Sequence, residues 1–172
     1  MAIAIRPYRE ADRQAVRDIT VSGFEGVSID HNIDDRLGPI AGRDWRWRKS
    51  RDIDRDIDEL HAELAVAEDD ETGTVVGYVT MQSDPETRIG WIHNLAVSAA
   101  VRGAGLGRRL LEHALDHFRA AGMTVAKIET LDQNPIGQHL YPSVGFREVA
   151  RQIHYAMPLT DGPTHEPGHQ PR

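Results

Sequence analysis

The most regular alternation of apolar and polar positions lies in residues 106–121. Apolar residues recur there every three or four positions and charged residues occupy the opposite side, a spacing that predicts an amphipathic helix. Gly122 follows in the position that favours a helix end. Helical spacing also predicts helices over residues 10–23 and 44–61. Asn134 followed by Pro135 predicts the start of a further helix, which Pro142 keeps short.

Short runs of apolar and β-branched residues predict the strands. Five of them cover residues 2–6, 64–68, 74–81, 88–97 and 124–131, and a further pair is predicted from Gly145 and over residues 151–157. Residues 24–43 are irregular and predict a loop or a broken short helix. The order of elements predicts a mixed α/β domain over residues 1–158 with about seven strands, followed by a disordered tail over 159–172.

Three glycines, Gly103, Gly105 and Gly107, separate the strand over 88–97 from the helix over 106–121, and arginines lie on both sides. Glycine allows a sharp turn and leaves room for a ligand to approach the backbone. A helix N-terminus presents unpaired N–H groups and the positive end of the helix dipole, so it attracts anions. The strand, the turn and the helix start together predict a pyrophosphate site.

The spacing of these glycines excludes two common nucleotide-binding turns. A Walker loop ends in Gly-Lys-Ser/Thr, but here Gly107 is followed by Arg108 and Arg109. A dinucleotide fingerprint needs G-x-G-x-x-G, and its last position falls on an arginine or a leucine whichever glycine starts the count. Arg102-Gly103-Ala104-Gly105-Leu106-Gly107 instead matches Arg/Gln-x-x-Gly-x-Gly/Ala without a mismatch.

This motif resembles the coenzyme A loop of the GNAT superfamily of N-acetyltransferases. The segment from Asn134 through Tyr141 to Phe146 resembles the family's Asn-x-x-Ala-x-x-Leu-Tyr-x-x-x-Gly-Phe, with Gly137 in place of the alanine. The resemblance implies the GNAT fold: an α/β mixed sheet with helices on both faces, splayed between the fourth and fifth strands. It also implies transfer of an acetyl group from acetyl-coenzyme A to a primary amine by direct attack in a ternary complex.

The resemblance also implies how the coenzyme is held. It places the pantetheine along Leu95, Ala96 and Val97, with the N–H of Leu95 near the acetyl carbonyl. Asn134 and Tyr141 are implied as further coenzyme contacts. The pyrophosphate is assigned to the turn and the helix start, which comprise Arg102, Gly103, Ala104, Gly105, Leu106, Gly107 and Arg108.

The acid and the base of the reaction are predicted on both sides of this cleft. Tyr141 is the predicted general acid, because a phenol can donate a proton to the leaving thiolate. His93 is one candidate base: two residues before Leu95, it is expected to share a strand face with Leu95. Glu129 is a second candidate, and a chain of waters is a third. Trp91 stands where other members carry a glutamate.

The composition of the chain excludes several classes of protein function. The 172-residue chain has no cysteine, which excludes a disulfide framework and a thiol nucleophile. A net charge of −7 argues against nucleic acid as the main partner. No apolar run approaches the ~18 residues of a membrane span, and the N-terminus lacks the layout of a signal peptide. A cytoplasmic protein without a membrane partner is expected.

No metal is expected either. Residues 165–169 spell H-E-x-x-H, the motif of zinc proteases, but Pro167 and Gly168 prevent the helix that this motif needs. The cosubstrate is expected to be acetyl-coenzyme A and the acceptor a small-molecule or peptide amine. Dimers are common in the family, so a homodimer is an open expectation.

Two functional hypotheses follow. The first is an acetyl-coenzyme-A-dependent N-acetyltransferase, and the alternative is a non-catalytic module that binds coenzyme A as a sensor or interaction domain. The alternative needs neither an acid nor a base. The presence of both Tyr141 and a candidate base favours the enzyme.

Overall fold

A five-stranded sheet forms the middle of the protein. The computed structural model describes residues 2–159, with strands in the order β1-β2-β3-β4-β5. Neighbouring strands are antiparallel, except that β4 and β5 are parallel. The strands are β1 (Ile3–Pro7), β2 (Leu64–Asp69), β3 (Val75–Asp84), β4 (Ile89–Val97) and β5 (Val125–Ile128).

Helices cover both faces of the sheet, as the resemblance implied. They are α1 (Arg13–Gly23), α2 (Ile29–Leu37), α3 (Trp45–Leu60), α4 (Leu106–Ala120) and α5 (Pro135–Val144). Along β3, Val79 packs into the core beneath α4, whereas its neighbour Tyr78 packs into the core formed with α1 and α3. Successive side chains of a strand point to opposite faces, so the two cores lie on opposite sides of the sheet.

The sheet is splayed between β4 and β5, which confirms the expected architecture. β5 pairs with β4 only from Ile89 to Ile92, although β4 continues to Val97. Five residues at the end of β4 therefore face a gap on the side away from β3. This gap opens towards the turn that precedes α4.

The prediction of two C-terminal strands was wrong. The two C-terminal strands do not form: within residues 146–159 the backbone has no strand, and Tyr155 is 90% exposed. Alternating apolar residues select one face of a strand but do not supply a pairing partner, so the pattern over 151–157 overstated the strand count. The sheet has five strands among the described residues instead of seven. The rest of the tail, with residues 165–169, lies outside the described residues.

Of the two alternatives predicted for residues 24–43, a loop or a broken short helix, the structure has a short helix, and it is unbroken. α2 begins after Ser28, whose hydroxyl accepts a hydrogen bond from the N–H of His31, and ends at Gly38. A serine cap and a glycine at the C-terminal end are ordinary helix boundaries. The abundance of aspartate in this segment hid them. Within the described chain, no helix combines the length and apolar character that a bilayer crossing requires.

Gly90 allows α4 to approach β4 closely. A Cβ at this position would lie 2.4 Å from Cγ of Phe118, which is 2% exposed. Gly90→Ala is therefore expected to lower the free energy of unfolding by about 1–3 kcal/mol through overpacking, as measured by urea denaturation. Adding Phe118→Leu should restore part of the loss. If the double variant lost the full sum of the two single effects, the contact would not be the cause.

Candidate functional site

The glycine turn has the backbone geometry that an anion site needs. Gly103 and Gly105 have φ angles of 82° and 79°, in the left-handed region that favours glycine. Gly105 is the N-cap of α4, and the first backbone hydrogen bond across the helix start joins the N–H of Arg109 to its carbonyl at 3.1 Å. The N–H groups of Leu106, Gly107 and Arg108 have no acceptor within the helix, so they can bind an anion.

Arginines connect this turn to both walls of the gap. Nε of Arg102 donates to the carbonyl oxygen of Val97 at 3.3 Å, and Arg108 donates to the hydroxyl of Ser143 on α5 at 2.7 Å. Both side chains are exposed. They add positive charge beside the helix start, where it favours a pyrophosphate. Arg109 has a different role, since it donates to the carbonyl of Ile3 in β1.

The end of β4 offers backbone groups to the gap. The N–H of Ser98 donates to the carbonyl of Val76, so alternate N–H groups from this point back along the strand face β3. By the same alternation, the N–H groups of Leu95 and Val97 point to the other side, where β5 has ended. An extended ligand can pair with them as a strand would.

A bulge just before these residues changes the faces of β4. Asn94 pairs with Thr80 and Ile92 pairs with Met81, so His93 is the extra residue. Leu95 packs towards α4, whereas His93 stacks on Trp91 with ring centroids 4.0 Å apart. Trp91 lies on the face opposite Gly90 and Ile92, which contact the α4 side. The prediction that His93 shares a face with Leu95 was therefore wrong, because the bulge interrupts the alternation.

His93 lies among polar groups on the face covered by α3. Nε2 of its ring is 2.9 Å from Oε1 of Gln82. Burial lowers the pKa of His93, and the negative charge of Asp56 opposes that change. A histidine whose pKa is below its ordinary value is neutral at pH 7 and can accept a proton.

Glu129 lies near the side chains that surround His93. It follows the end of β5, and its Oε1 is 3.2 Å from Nζ of Lys127, which sits 3.8 Å from the centre of the Trp91 ring. Its charge also acts on His93, raising that pKa. The structure thus brings the two candidate bases to one face of the sheet. Glu129 is the more exposed of the two.

Tyr141 lies on the opposite face. It is half-buried on α5 against the core beneath α4, and its ring meets Phe146 edge-on with centroids 6.2 Å apart. Burial raises the pKa of Tyr141 to about 12. The candidate acid and the candidate bases therefore flank the gap from its two sides.

Asn134 acts as the cap of α5. Its Oδ1 accepts from the N–H of Gly137 at 3.3 Å, and its Nδ2 donates to Oγ1 of Thr130 at 2.9 Å. A Cβ on Gly137 would lie 2.7 Å from that same Oγ1, which explains the glycine where the family motif has alanine. Any contact of Asn134 with coenzyme has to coexist with these two bonds.

An open cavity continues from the candidate bases along the sheet. Its volume is about 450 Å³, and Trp91 and Gln82, which contact His93, form part of its wall. The complete lining comprises Gln82, Ser83, Asp84, Pro85, Thr87, Ile89, Trp91 and Lys127. In the described part of the chain, no group of three or more histidine or carboxylate side chains could hold a metal ion.

Three polar residues near the bulge escaped the sequence analysis. They are Asn94, Lys49 and Asp56, which are joined to one another on the α3 face. Lys49 and Asp56 are seven residues apart on a helix that buries Ile53 between them. That spacing on the buried side of an amphipathic helix was the available signal.

The fold and the turn define an α/β protein whose glycine turn faces an open sheet edge. The chain belongs to the acetyltransferase (GNAT) family, whose model matches residues 32–146. This confirms the resemblance seen in the sequence. The matched region includes β4, the turn and Tyr141.

Individual relatives agree with this family. Mycothiol acetyltransferase of Beutenbergia cavernae is 32% identical over 95 residues, covering 55% of this chain and 32% of the relative. The [Ribosomal protein bS18]-alanine N-acetyltransferase of Escherichia coli (strain K12) is 37% identical over 71 residues, covering 41% of this chain and 47% of the relative. The chain thus spans less than half the length of either curated relative.

A solved structure shows the same fold. The PaiA N-acetyltransferase of Thermoplasma acidophilum, solved in complex with coenzyme A, superposes with a TM-score of 0.67 and 16% identity. The match covers 86% of this chain and 91% of the other.

Proposed function

We propose that this protein transfers the acetyl group of acetyl-coenzyme A to a primary amine by direct attack in a ternary complex. The observation that carries this proposal is the end of β4, where the N–H groups of Leu95 and Val97 face a gap beside the glycine turn. A pyrophosphate bound at the start of α4 would direct the pantetheine into that gap. A thioester carbonyl beside Leu95 would then be accessible from both faces of the sheet.

Three residues have separate roles in the proposed acetyl transfer. As the amine nitrogen bonds to the acetyl carbon, the N–H of Leu95 stabilises the negative charge on the carbonyl oxygen. His93 accepts the proton released by the nitrogen. The carbon–sulfur bond then breaks, and Tyr141 donates its proton to the leaving sulfur and regains one from solvent. The products are the acetylated amine and coenzyme A.

His93 is preferred to Glu129 as the base. Its ring is held by Gln82 and Trp91, whereas Glu129 is exposed and pairs with Lys127. A general base works best when its geometry is fixed. Replacing each in turn separates them, because loss of the true base removes the acid limb of the pH profile.

The acceptor is proposed to be the amine of a small molecule or a peptide. It would enter on the His93 face and lie in the cavity that Trp91 and Gln82 border. The relatives named above include a ribosomal-protein alanine N-acetyltransferase and a mycothiol acetyltransferase, which supports testing both peptide and small-molecule acceptors. A panel of peptides with free N-termini and of small amines, with thiol release as the signal, tests the proposal; no turnover with any amine would contradict it.

The pH profile is expected to report His93. Because burial lowers its pKa, kcat/KM should rise with pH through a limb centred below about 6.5, the ordinary value for histidine. Above that limb the profile should stay flat towards alkaline pH, because Tyr141 titrates only near 12. The measurement needs an acceptor amine with a low pKa, so that the acceptor's own titration does not mask the enzyme's. A His93→Gln variant that kept the same limb would show that another group acts as the base.

A further inference from the structure

A chain of polar side chains holds the bulge of β4 from the α3 face. Nζ of Lys49 donates to Oδ1 of Asn94 at 3.2 Å, and Nδ2 of Asn94 donates to Oδ2 of Asp56 at 2.5 Å. The backbone N–H of Asn94 donates to the hydroxyl of Thr80 at 2.9 Å, and Thr80 is fully buried. Asn94 is thus fixed through both its side chain and its main chain.

The two charged members of this network, Lys49 and Asp56, are partly buried. Nζ of Lys49 lies 4.4 Å from the centre of the Phe24 ring, and the α3 residues between the two charges include the buried Ile53. Among the side chains that the structure describes, neither Lys49 nor Asp56 has an ion-pair partner within 4 Å. Burial lowers the pKa of Lys49 and raises that of Asp56. The amide of Asn94 therefore joins Lys49 to Asp56, while the carboxylates of Asp52 and Asp30 also act on Lys49 and oppose the lowering of its pKa.

Such a network is costly for stability alone. Well-packed apolar side chains of similar size are often as stabilising as buried charges, whereas a satisfied polar network fixes one geometry. The network lies at the point of β4 where geometry matters for the proposed reaction. Asn94 is flanked in sequence by His93 and by Leu95.

Asp56 also acts on His93 directly. It is the first of the charges that raise the pKa of His93, ahead of Glu129 and Glu59, whereas Lys127 lowers it. These four charged groups and the neutral Gln82 make up the polar surroundings of the ring. Loss of the Asp56 charge would therefore favour the neutral form of His93.

We propose that Lys49, Asn94 and Asp56 are positioning residues, which lock the β4 bulge so that the His93 ring and the Leu95 N–H face the thioester from their two sides. This inference rests on the proposed function, and it assigns a role to Lys49 and Asp56 on α3 and to Asn94 on β4. None of the three is assigned a direct contact with the reacting atoms.

Asn94→Leu and Lys49→Met test the inference by kinetics, because each removes a hydrogen-bonding group of the network. Both are expected to lower kcat about tenfold to a hundredfold, because a displaced base or donor loses its alignment. The KM for acetyl-coenzyme A should stay within about twofold, since the pyrophosphate turn is untouched. Asp58→Asn is the control: Asp58 is on the same helix as Lys49, exposed, and paired with Arg13 instead. It should behave as the wild type.

A titration gives a readout that does not depend on turnover. In Asp56→Asn, the ring resonances of His93 followed by NMR should titrate at lower pH than in the wild type, and the acid limb of kcat/KM should move the same way. Asp58→Asn should leave both unchanged. If Asn94→Leu fails to fold, Lys49→Met provides a second break in the network, with the same predicted loss of kcat.

The outcomes separate the inference from the proposed function. Wild-type kcat in Asn94→Leu and Lys49→Met would overturn the positioning role even if the wild type is an active enzyme, whereas an unshifted His93 titration in Asp56→Asn would overturn the direct effect of Asp56 on His93. Conversely, a wild type that acetylates no amine but shows the His93 shift in Asp56→Asn would contradict the proposed function and leave the link between Asp56 and His93 supported.

Discussion

Tyr141→Phe is expected to lower kcat by about a hundredfold to a thousandfold at neutral pH, within the range of about 10²–10⁴ that a general acid contributes. The Tyr141 hydroxyl, with its pKa raised to about 12, stays protonated at the pH of the assay and can donate to the leaving sulfur. Phenylalanine preserves the ring and its edge-on contact with Phe146. Acetyl-coenzyme A should therefore bind with a nearly unchanged KM.

Steady-state thiol release provides the measurement, and Tyr155→Phe provides the control. Tyr155 is 90% exposed, so the loss of its hydroxyl should leave kcat unchanged. If Tyr141→Phe retained the wild-type kcat, the leaving group would receive its proton from solvent, and the acid assignment would be wrong.

Removing the N–H of Leu95 should have a comparable effect. An amide-to-ester substitution at residue 95 deletes this donor and keeps the leucine side chain. It is expected to lower kcat by about a hundredfold to a thousandfold, as with the loss of one oxyanion donor. Stability should change little, because this N–H points to the gap beside β5 and does not take part in the pairing with β3.

The adjacent residue supplies the matched control. The N–H of Ala96 points to β3, so an ester there should remove a sheet hydrogen bond and lower the free energy of unfolding by about 1 kcal/mol. Urea denaturation and single-turnover kinetics on both esters would separate the two roles. Loss of stability with unchanged kcat in the residue-95 ester would contradict the assignment of this donor.

The sequence predicted the structure well where an element depends on residues close to one another in the chain. α4 follows from its apolar spacing, and the turn before it follows from glycines that adopt φ angles near 80°. The C-terminal strands failed for the opposite reason, because pairing depends on a partner that the local pattern does not contain. β5 illustrates the same limit: it ends at Ile128, three residues before the predicted end, and so creates the gap.

The residues of the candidate site likewise differ in whether the sequence alone could predict them. Arg102–Gly107 and Tyr141 could be predicted because their residue types match family motifs at fixed spacing. The geometry of His93 could not be predicted from alternation, because one inserted residue in β4 reverses the faces that follow. Lys49 and Asp56 resemble the solvated residues of any charged helix until α3 is seen packed on the bulge.

The central claim is the transfer of an acetyl group from acetyl-coenzyme A to an amine. Incubation with carbon-13-labelled acetyl-coenzyme A and the amine panel, followed by mass spectrometry, tests it most directly. The account predicts one labelled acetylated amine for each coenzyme A thiol released, with both products reduced together in Tyr141→Phe. Tight binding of coenzyme A without an acetylated amine from any acceptor would contradict it and would favour a non-catalytic coenzyme-A-binding module.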